Sequence, residues 1–231
     1  MTVTLITGGN KGLGFETARR LIAYGHIVYI GARSTERGKE SADKLGAKFV
    51  RLDVTDHASI HEAVAEIKQN EGHLDVLINN AGITRGLLGT DDVTADDFRT
   101  VYDTNVFGIV RVTQAFLPLL HKSKMPVIVN VSSGLGSFAR VTNPEKIESR
   151  VNDLIYSSSK AAVTMLTVQY AKALPEFRIN AADPGPTATD LNGHRGYQTV
   201  SEGTDVIVKL ATLGDNGPTG TFMDRNGIVP W

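Results

Sequence analysis

Thr7-Gly8-Gly9-Asn10-Lys11-Gly12-Leu13-Gly14 is the stretch that decides the fold of this chain, because it joins a strand directly to an amphipathic helix. The strand is predicted at Val3–Thr7, and the helix begins within the stretch itself. Gly8, Gly12 and Gly14 permit a tight turn and close backbone approach, and the helix N-terminus offers free N–H groups to a pyrophosphate. The stretch therefore predicts a dinucleotide-binding loop, with a ligand-free glycine-rich turn as the alternative.

Short β-branched runs alternate with longer amphipathic runs along the rest of the chain. The predicted strands are Val3–Thr7, His26–Ala32, Lys48–Leu52, Leu74–Asn79, Val127–Val131, Arg178–Ala182 and Gly220–Met223. The predicted helices are Leu13–Tyr24, Glu36–Leu45, Ala58–Gln69, one from Thr94 past Phe107 toward Pro118, Leu154–Leu174 and one near Ser201–Leu213. This alternation predicts an α/β fold, a single-domain Rossmann-like doubly wound parallel sheet of about seven strands with helices on both faces. Residues 1–231 are expected to form one dinucleotide-binding catalytic domain.

Composition narrows the classes of function. The 231 residues are 41% hydrophobic with a net charge of −1, which favours neither a nucleic-acid nor a membrane partner. The absence of cysteine excludes disulfides and cysteine chemistry, and fits a cytoplasmic protein. No transmembrane helix or signal peptide is predicted. His57 and His61 lie four residues apart without a visible third ligand, so no metal site is expected.

Cations at the end of the second strand predict which dinucleotide binds. An acid at this place binds the 2′-hydroxyl of NAD, whereas an arginine accommodates the 2′-phosphate of NADP. The chain has Ala32 followed by Arg33, and Lys11 in the glycine loop adds a second cation. Because an arginine can hold a phosphate with two N–H groups, these residues predict NADP(H). Solvated surface charges are the alternative.

Small and polar residues follow three other strands. Asp53-Val54 follows the third strand, Asn79-Asn80-Ala81-Gly82 the fourth, and Pro184-Gly185 the sixth. In a doubly wound sheet, ligands bind outside the carboxyl ends of the strands. The first two motifs are therefore expected near the adenine end and the adjacent ribose, although either alone is also ordinary turn chemistry.

Tyr156-Ser157-Ser158-Ser159-Lys160 places a phenol and an ammonium four residues apart. On a helix both side chains emerge on one face. The cation is expected to lower the pKa of the Tyr156 phenol from about 10, which makes it a candidate general acid. Ser133 follows the fifth strand at the same sheet edge. Asn105 lies inside a predicted helix, where a solvated or locally bonded asparagine is the alternative.

Together these residues resemble the short-chain dehydrogenase/reductase family over nearly the full length of the chain. The matching positions are Thr7-Gly8-x-x-x-Gly12-x-Gly14, Asp53, Asn79-Asn80-Ala81-Gly82, Asn105, Ser133, Tyr156-x-x-x-Lys160 and Pro184-Gly185. The chain is most similar to the NADPH-dependent carbonyl reductase branch. That likeness rests on the glycine loop through Lys11, on Ala32-Arg33 and on Gly217-Pro218-x-Gly220-x-Phe222.

The resemblance implies hydride transfer from NADPH to the carbonyl carbon of a ketone or aldehyde. Tyr156 would protonate the alkoxide as general acid, Lys160 would lower its pKa and bind the nicotinamide ribose, and Ser133 would polarise the carbonyl oxygen. Asn105 would help hold a water beside Lys160. The implied cofactor-binding residues are Gly8, Asn10, Lys11, Gly12, Leu13, Gly14, Arg33, Asp53, Val54, Asn80, Ala81, Gly82, Tyr156, Lys160, Pro184, Gly185, Thr187 and Thr189. Thr189 is expected at the nicotinamide carboxamide.

The chain departs from the family between Ser133 and Tyr156, which are 23 residues apart. This separation is longer than in many members and shorter than in animal carbonyl reductases. The extra residues, about Phe138 to Asp153, are polar and charged and are expected beside the active site. They leave the substrate open, and they leave the oligomeric state open between a monomer and a homodimer.

Two other functions stay open at this point. The same residues suit an NADP-dependent alcohol dehydrogenase of a biosynthetic pathway, or a non-catalytic NADP-binding regulator. Thr187 to Tyr197, with two glycines, is expected to form a mobile lid over the cleft. Within it, His194, Arg195 and Tyr197 face either the substrate or solvent.

Overall fold

Eight strands form one sheet in the computed structural model, which describes residues 1–86 and 89–231. The strands are β1 Val3–Thr7, β2 Ile27–Ala32, β3 Lys48–Arg51, β4 Val76–Asn79, β5 Val127–Val131, β6 Arg178–Ala182, β7 Phe222–Asp224 and β8 Gly227–Ile228. Their order is β3-β2-β1-β4-β5-β6-β7-β8, parallel throughout except for the final β7–β8 pair. The strand order reverses between β1 and β4, so the carboxyl ends of these strands open a crevice there.

Helices cover both faces of the sheet, as the alternation of elements predicts. They are α1 Gly12–Ala23, α2 Thr35–Leu45, α3 His57–Glu71, α4 Ala95–Tyr102, α5 Gly108–Leu120, α6 Phe138–Val141, α7 Leu154–Ala173 and α8 Val200–Ala211. One core holds side chains from α3, α5 and α7, and a second core holds side chains from α1, α2 and α8. The doubly wound α/β architecture is therefore confirmed.

The strands supply both cores because successive side chains of a strand point to opposite faces of the sheet. Leu5 of β1 lies in the first core and Ile6 in the second. Leu77 and Ile78 of β4 divide in the same way. The carboxyl ends of these buried strands are therefore held rigidly, which makes the sheet edge a firm base for a site.

Several details differ from the predicted elements, including the short helix α6, which was not predicted. β8 was not predicted, because a strand of two residues is too short to show a hydrophobic period. The long helix expected from Thr94 is divided into α4 and α5 by a π-helical segment, Asp103–Phe107. The second of these helices, α5, continues past Pro118 to Leu120. The cap expected at Thr94 is present, since its side chain and that of Asp97 form a reciprocal capping box.

Replacing Phe116 by alanine is expected to destabilise the protein by about 3–5 kcal/mol, because the ring is fully buried and its loss leaves a cavity in the first core. Val110→Ala on the same helix is the matched control, since Val110 is 37% exposed. Chemical denaturation measures both. Equal losses for the two variants would contradict the assignment of the buried face of α5.

Candidate active site

The glycine loop adopts a conformation that requires its glycines. Gly8 and Gly12 have positive φ angles of 65° and 54°, a region that side chains other than glycine rarely adopt. A Cβ on Gly14 would lie 2.6 Å from both the Asn80 amide nitrogen and the Gly8 carbonyl oxygen. Asn80 donates from that nitrogen to the carbonyl oxygens of Thr7 (2.9 Å) and Gly8 (3.2 Å). The loop is thus fastened to the turn after β4.

Thr7 makes the second connection between these two turns. Its buried hydroxyl oxygen accepts hydrogen bonds from the backbone N–H groups of Asn80 and Ala81, each at 3.0 Å. Lys11, at the N-cap of α1, supplies no side-chain hydrogen bond to the first turn of that helix. The N-terminus of α1 therefore points free N–H groups at the crevice, the arrangement that suits a phosphate.

The two predicted cations lie in different environments. Arg33 directly follows β2 and is exposed. Lys11 instead pairs with Asp190 across the crevice, at 2.7 Å, and His194 lies 3.0 Å from the same carboxylate. Lys11 and Asp190 are both more than half exposed, so this pair contributes little stability and Lys11 can exchange it for a phosphate at small cost. The sequence gives no sign of this pairing, because the partners are far apart along the chain.

Asp53 and Val54 are placed as expected after β3, but their side chains already have protein partners. The Asp53 carboxylate accepts hydrogen bonds from the backbone N–H and the hydroxyl of Thr55, at 2.9 Å and 2.7 Å. Val54 is buried in the first core, and a Cβ on Gly108 would lie 2.8 Å from it. Contact of Val54 with a ligand would therefore be through its backbone.

Lys160 on α7 is buried against the end of β5. Its ammonium donates to the Val131 carbonyl oxygen at 2.8 Å, and its own carbonyl oxygen accepts from the Ser132 hydroxyl at 3.1 Å. The ammonium lies 5.5 Å from the centre of the Tyr156 ring. Tyr156 and Lys160 therefore occupy one face of α7, as their spacing predicts, beside the turn that holds Ser133.

Asn105 fixes this helix to the turn after β4. Its amide exchanges two hydrogen bonds with the backbone of Ile83, at 2.9 Å and 3.0 Å, and donates to the Ser159 hydroxyl at 3.1 Å. A Cβ on Gly82 would lie 3.5 Å from the Asn105 oxygen and 3.6 Å from the Lys160 ammonium. The π-helical segment thus brings a buried amide next to Lys160, and the alternative of a solvated Asn105 is excluded.

Burial sets the pKa values of the proton-carrying pair. Burial, followed by the charges of Asp183 and Asp153, raises the pKa of the Tyr156 phenol above its ordinary value, and the Ser133 hydroxyl opposes this. The expectation that this pKa lies below its ordinary value is therefore wrong for the cofactor-free protein, and burial is the largest cause of the difference. Burial also lowers the pKa of Lys160 to about 8, with Asp183 acting in the opposite direction.

The residues after β6 close the crevice from the other side. Gly185 has a positive φ of 70°. Thr187 is buried, and its hydroxyl donates to the Pro184 carbonyl oxygen at 3.1 Å. Thr189 contacts the glycine loop, since its methyl group lies 3.6 Å from the position of a Cβ on Gly12. The segment from Thr187 to Tyr197 therefore lies over the crevice, with Tyr197 itself 72% exposed.

Asp183 is the residue that sequence reasoning missed. It is 3% exposed and directly precedes Pro184-Gly185. Arg140, from the extra segment, donates to its carboxylate at 2.8 Å. The available signals were an acidic residue at the end of a buried strand and two arginines, Arg140 and Arg150, in the extra segment. Neither signal alone predicts the pair.

No helix within residues 1–86 and 89–231 is long and apolar enough to cross a membrane. The same part of the chain contains no group of three or more histidine, aspartate or glutamate residues arranged to hold a metal ion.

Known proteins resemble this chain in sequence and in structure. The short chain dehydrogenase family model matches residues 2–199. The chain is 33% identical to (-)-isopiperitenone reductase of Mentha piperita, with 96% of each sequence covered. It is 30% identical to (+)-neomenthol dehydrogenase of Capsicum annuum, over 97% of this chain and 96% of that protein. An NADPH-bound carbonyl reductase from chicken fatty liver superposes over the full length of both chains, with a TM-score of 0.88 and 30% identity.

Lys160→Met is expected to stabilise the cofactor-free protein at neutral pH. Burial lowers the Lys160 pKa from 10.5 to about 8, which corresponds to about 3 kcal/mol against folding at pH values below about 8. Loss of the hydrogen bond to Val131 destabilises the variant by about 1 kcal/mol. The free energy of unfolding is therefore expected to increase by about 2 kcal/mol near pH 7.

The stability advantage of Lys160→Met decreases as the pH rises. Between about 8 and 10.5 the unfolded chain binds more protons at Lys160 than the folded protein, so wild-type stability rises with pH and the advantage of the variant disappears. Denaturation at several pH values measures this difference. Lys172→Met, at an exposed position of the same helix, is the control. A variant less stable than wild type near pH 7 would contradict the cost assigned to this burial.

Proposed function

We propose, since this chain belongs to the short-chain dehydrogenase family, that it is an oxidoreductase that reduces a ketone or aldehyde carbonyl with NADPH. One observation carries the proposal. The paired Tyr156 and Lys160 lie beside the Ser133 turn, at the same sheet edge where the glycine loop opens. A hydride donor held by the loop and a proton donor on α7 would thus meet at one carbonyl group.

The residues at the crevice fit a dinucleotide. The positive φ angles of Gly8 and Gly12 and the uncapped start of α1 form a cradle for a pyrophosphate. Arg33, exposed beside this cradle, and Lys11 would hold the 2′-phosphate. When bound, the nicotinamide ring supplies the hydride.

Proton delivery would come from Tyr156. The raised pKa of its phenol keeps the group protonated at neutral pH, the state that a general acid needs in order to donate to a developing alkoxide. Ser133 would hold the carbonyl oxygen by a hydrogen bond that strengthens as negative charge develops. Lys160 would bind the nicotinamide ribose and attract the phenolate that remains. Asn105 would hold the neighbouring turn of α7 in place beside Lys160.

The similar proteins support the same chemistry. The full-length chicken match is described as an NADPH-bound carbonyl reductase, and the Mentha piperita relative is a reductase by name. The Capsicum annuum relative is named as a dehydrogenase, which favours alcohol oxidation as a second candidate. Reduction is the first candidate because both the chicken match and the Mentha piperita relative are reductases by name. A regulator without catalysis would not need Ser133, Tyr156 and Lys160 together.

Tyr156→Phe is expected to bind NADPH like the wild-type protein and to lose at least about tenfold of its turnover, because it removes only the transferable proton. NADPH oxidation with benzaldehyde, cyclohexanone, menadione and ethyl acetoacetate measures turnover, and NADPH fluorescence measures binding. Tyr170→Phe, elsewhere on the same helix, is the control. Activity of the variant above about a tenth of wild type would refute the general-acid role. Tight NADPH binding by a wild-type protein that reduces none of the four would favour the regulator.

Arg33→Asp is expected to move cofactor preference from NADPH toward NADH. The carboxylate repels the 2′-phosphate and can accept a hydrogen bond from a 2′-hydroxyl. The ratio of kcat/KM for the two cofactors measures the preference. Arg37→Asp, at another exposed position near the start of α2, controls for net charge. If the ratio in Arg33→Asp stays at the wild-type value, Arg33 does not bind the 2′-phosphate.

A further inference from the structure

A cluster of ion pairs lies directly behind the active-site turns. Arg140 belongs to α6, within the extra segment. Its guanidinium donates to Asp183 at 2.8 Å, to Glu148 at 3.2 Å and to Asp224 at 2.6 Å. The Arg140 side chain is 16% exposed, and that of Asp183 only 4%. Because a buried charge is costly without a partner, Arg140 and Asp183 depend on each other.

The Asp183 carboxylate joins two of the active-site turns. It accepts a hydrogen bond from the Gly185 N–H at 2.9 Å, within the turn that follows β6. Its other oxygen lies 3.0 Å from the position of a Cβ on Gly134, so it rests against the backbone that immediately follows Ser133. The carboxylate therefore lies between the turn that carries Ser133 and the turn expected at the nicotinamide.

This carboxylate also acts on both proton-carrying groups. Its charge raises the pKa of Tyr156 and opposes the burial that lowers the pKa of Lys160. The other groups that face Tyr156 are the Asp153 carboxylate, at the N-cap of α7, and the Ser133 hydroxyl. The sheet places Asp183 there, because Ala182, the residue before Asp183, pairs with Val131, whose carbonyl oxygen accepts the hydrogen bond from the Lys160 ammonium.

We propose that Asp183, held in place by Arg140, is a positioning residue that sets one fixed negative charge beside Tyr156 and Lys160. The proposal rests on the reductase function above, in which both groups keep their protons until the alkoxide forms. A nearby anion favours the phenol over the phenolate and the ammonium over the amine. Burial raises the pKa of the Asp183 carboxyl, whereas the Gly185 N–H group and the Arg140 guanidinium favour its ionised form. The charge thus extends the pH range over which the site is ready for reduction, and the extra segment supplies the arginine that favours the buried charge.

Two variants remove this charge. Asp183→Asn keeps an oxygen for the Gly185 N–H, but it also turns an amide N–H toward the Arg140 guanidinium. Asp183→Ser removes the charge without placing an N–H group there, and Arg140 keeps its ion pairs with Glu148 and Asp224 in both variants. Asp183→Ser therefore decides the test if Asp183→Asn does not fold.

Carbon NMR of isotopically labelled lysine reads the Lys160 pKa without substrate or cofactor. The Lys160 Cε signal is assigned by its absence from Lys160→Met. In both charge-removing variants the inflection is expected about one pH unit below that of wild type. An unchanged Lys160 inflection in either charge-removing variant, folded as judged by circular dichroism, would overturn the proposal.

The pH profile of carbonyl reduction is the second readout, with the best substrate of the four named above. The alkaline limb of kcat is expected about one pH unit lower in the charge-removing variants, with little change in KM. Arg150→Met, at an exposed arginine of the same segment, is expected to keep the wild-type profile. If the alkaline limb of kcat in the charge-removing variants lies at the wild-type pH, the proposal is contradicted. A wild-type protein without turnover would count against the reductase function alone, because the Lys160 signal needs no substrate.

Discussion

The ammonium of Lys160 lies inside the protein, 2.8 Å from the Val131 carbonyl oxygen, and the rest of the site is arranged around this contact. An ammonium can be buried only where acceptors and opposite charge are already in place. The end of β5 supplies the acceptor, the Asn105 amide fixes the neighbouring turn of α7, and Asp183 supplies the charge. Each of these depends on a buried strand or helix, so the proton site is as rigid as the core beneath it.

The strand order provides the second half of the site at the same edge. Thr7 and Asn80 connect the turns after β1 and β4 through buried hydrogen bonds, and this connection keeps the start of α1 open toward the crevice. Parallel strands bring all their carboxyl ends to one edge. Residues as distant in sequence as Gly12 and Thr189 therefore face each other across a few ångströms.

Local patterns in the sequence predict the sheet, its helices and the grouping of Tyr156 and Lys160, because each depends on spacing within a few residues. The same patterns miss what depends on desolvation or on long-range pairing. The Tyr156 pKa rises chiefly because the phenol is buried, and residue spacing does not report burial. Lys11 pairs with Asp190, and Arg140 with Asp183, across loops that only the fold brings together. The π-helical segment around Asn105 likewise carries no hydrophobic period of its own.

In the proposed reaction, a hydride passes from NADPH to a carbonyl carbon at this edge of the sheet. The most direct measurement uses NADPH deuterated at the transferable position of the nicotinamide ring, with mass spectrometry of the alcohol formed by the wild-type protein. One deuterium is expected on the carbinol carbon of the product and none on its oxygen. An alcohol product without deuterium, or NADPH consumed without an alcohol product, would contradict the proposed reaction.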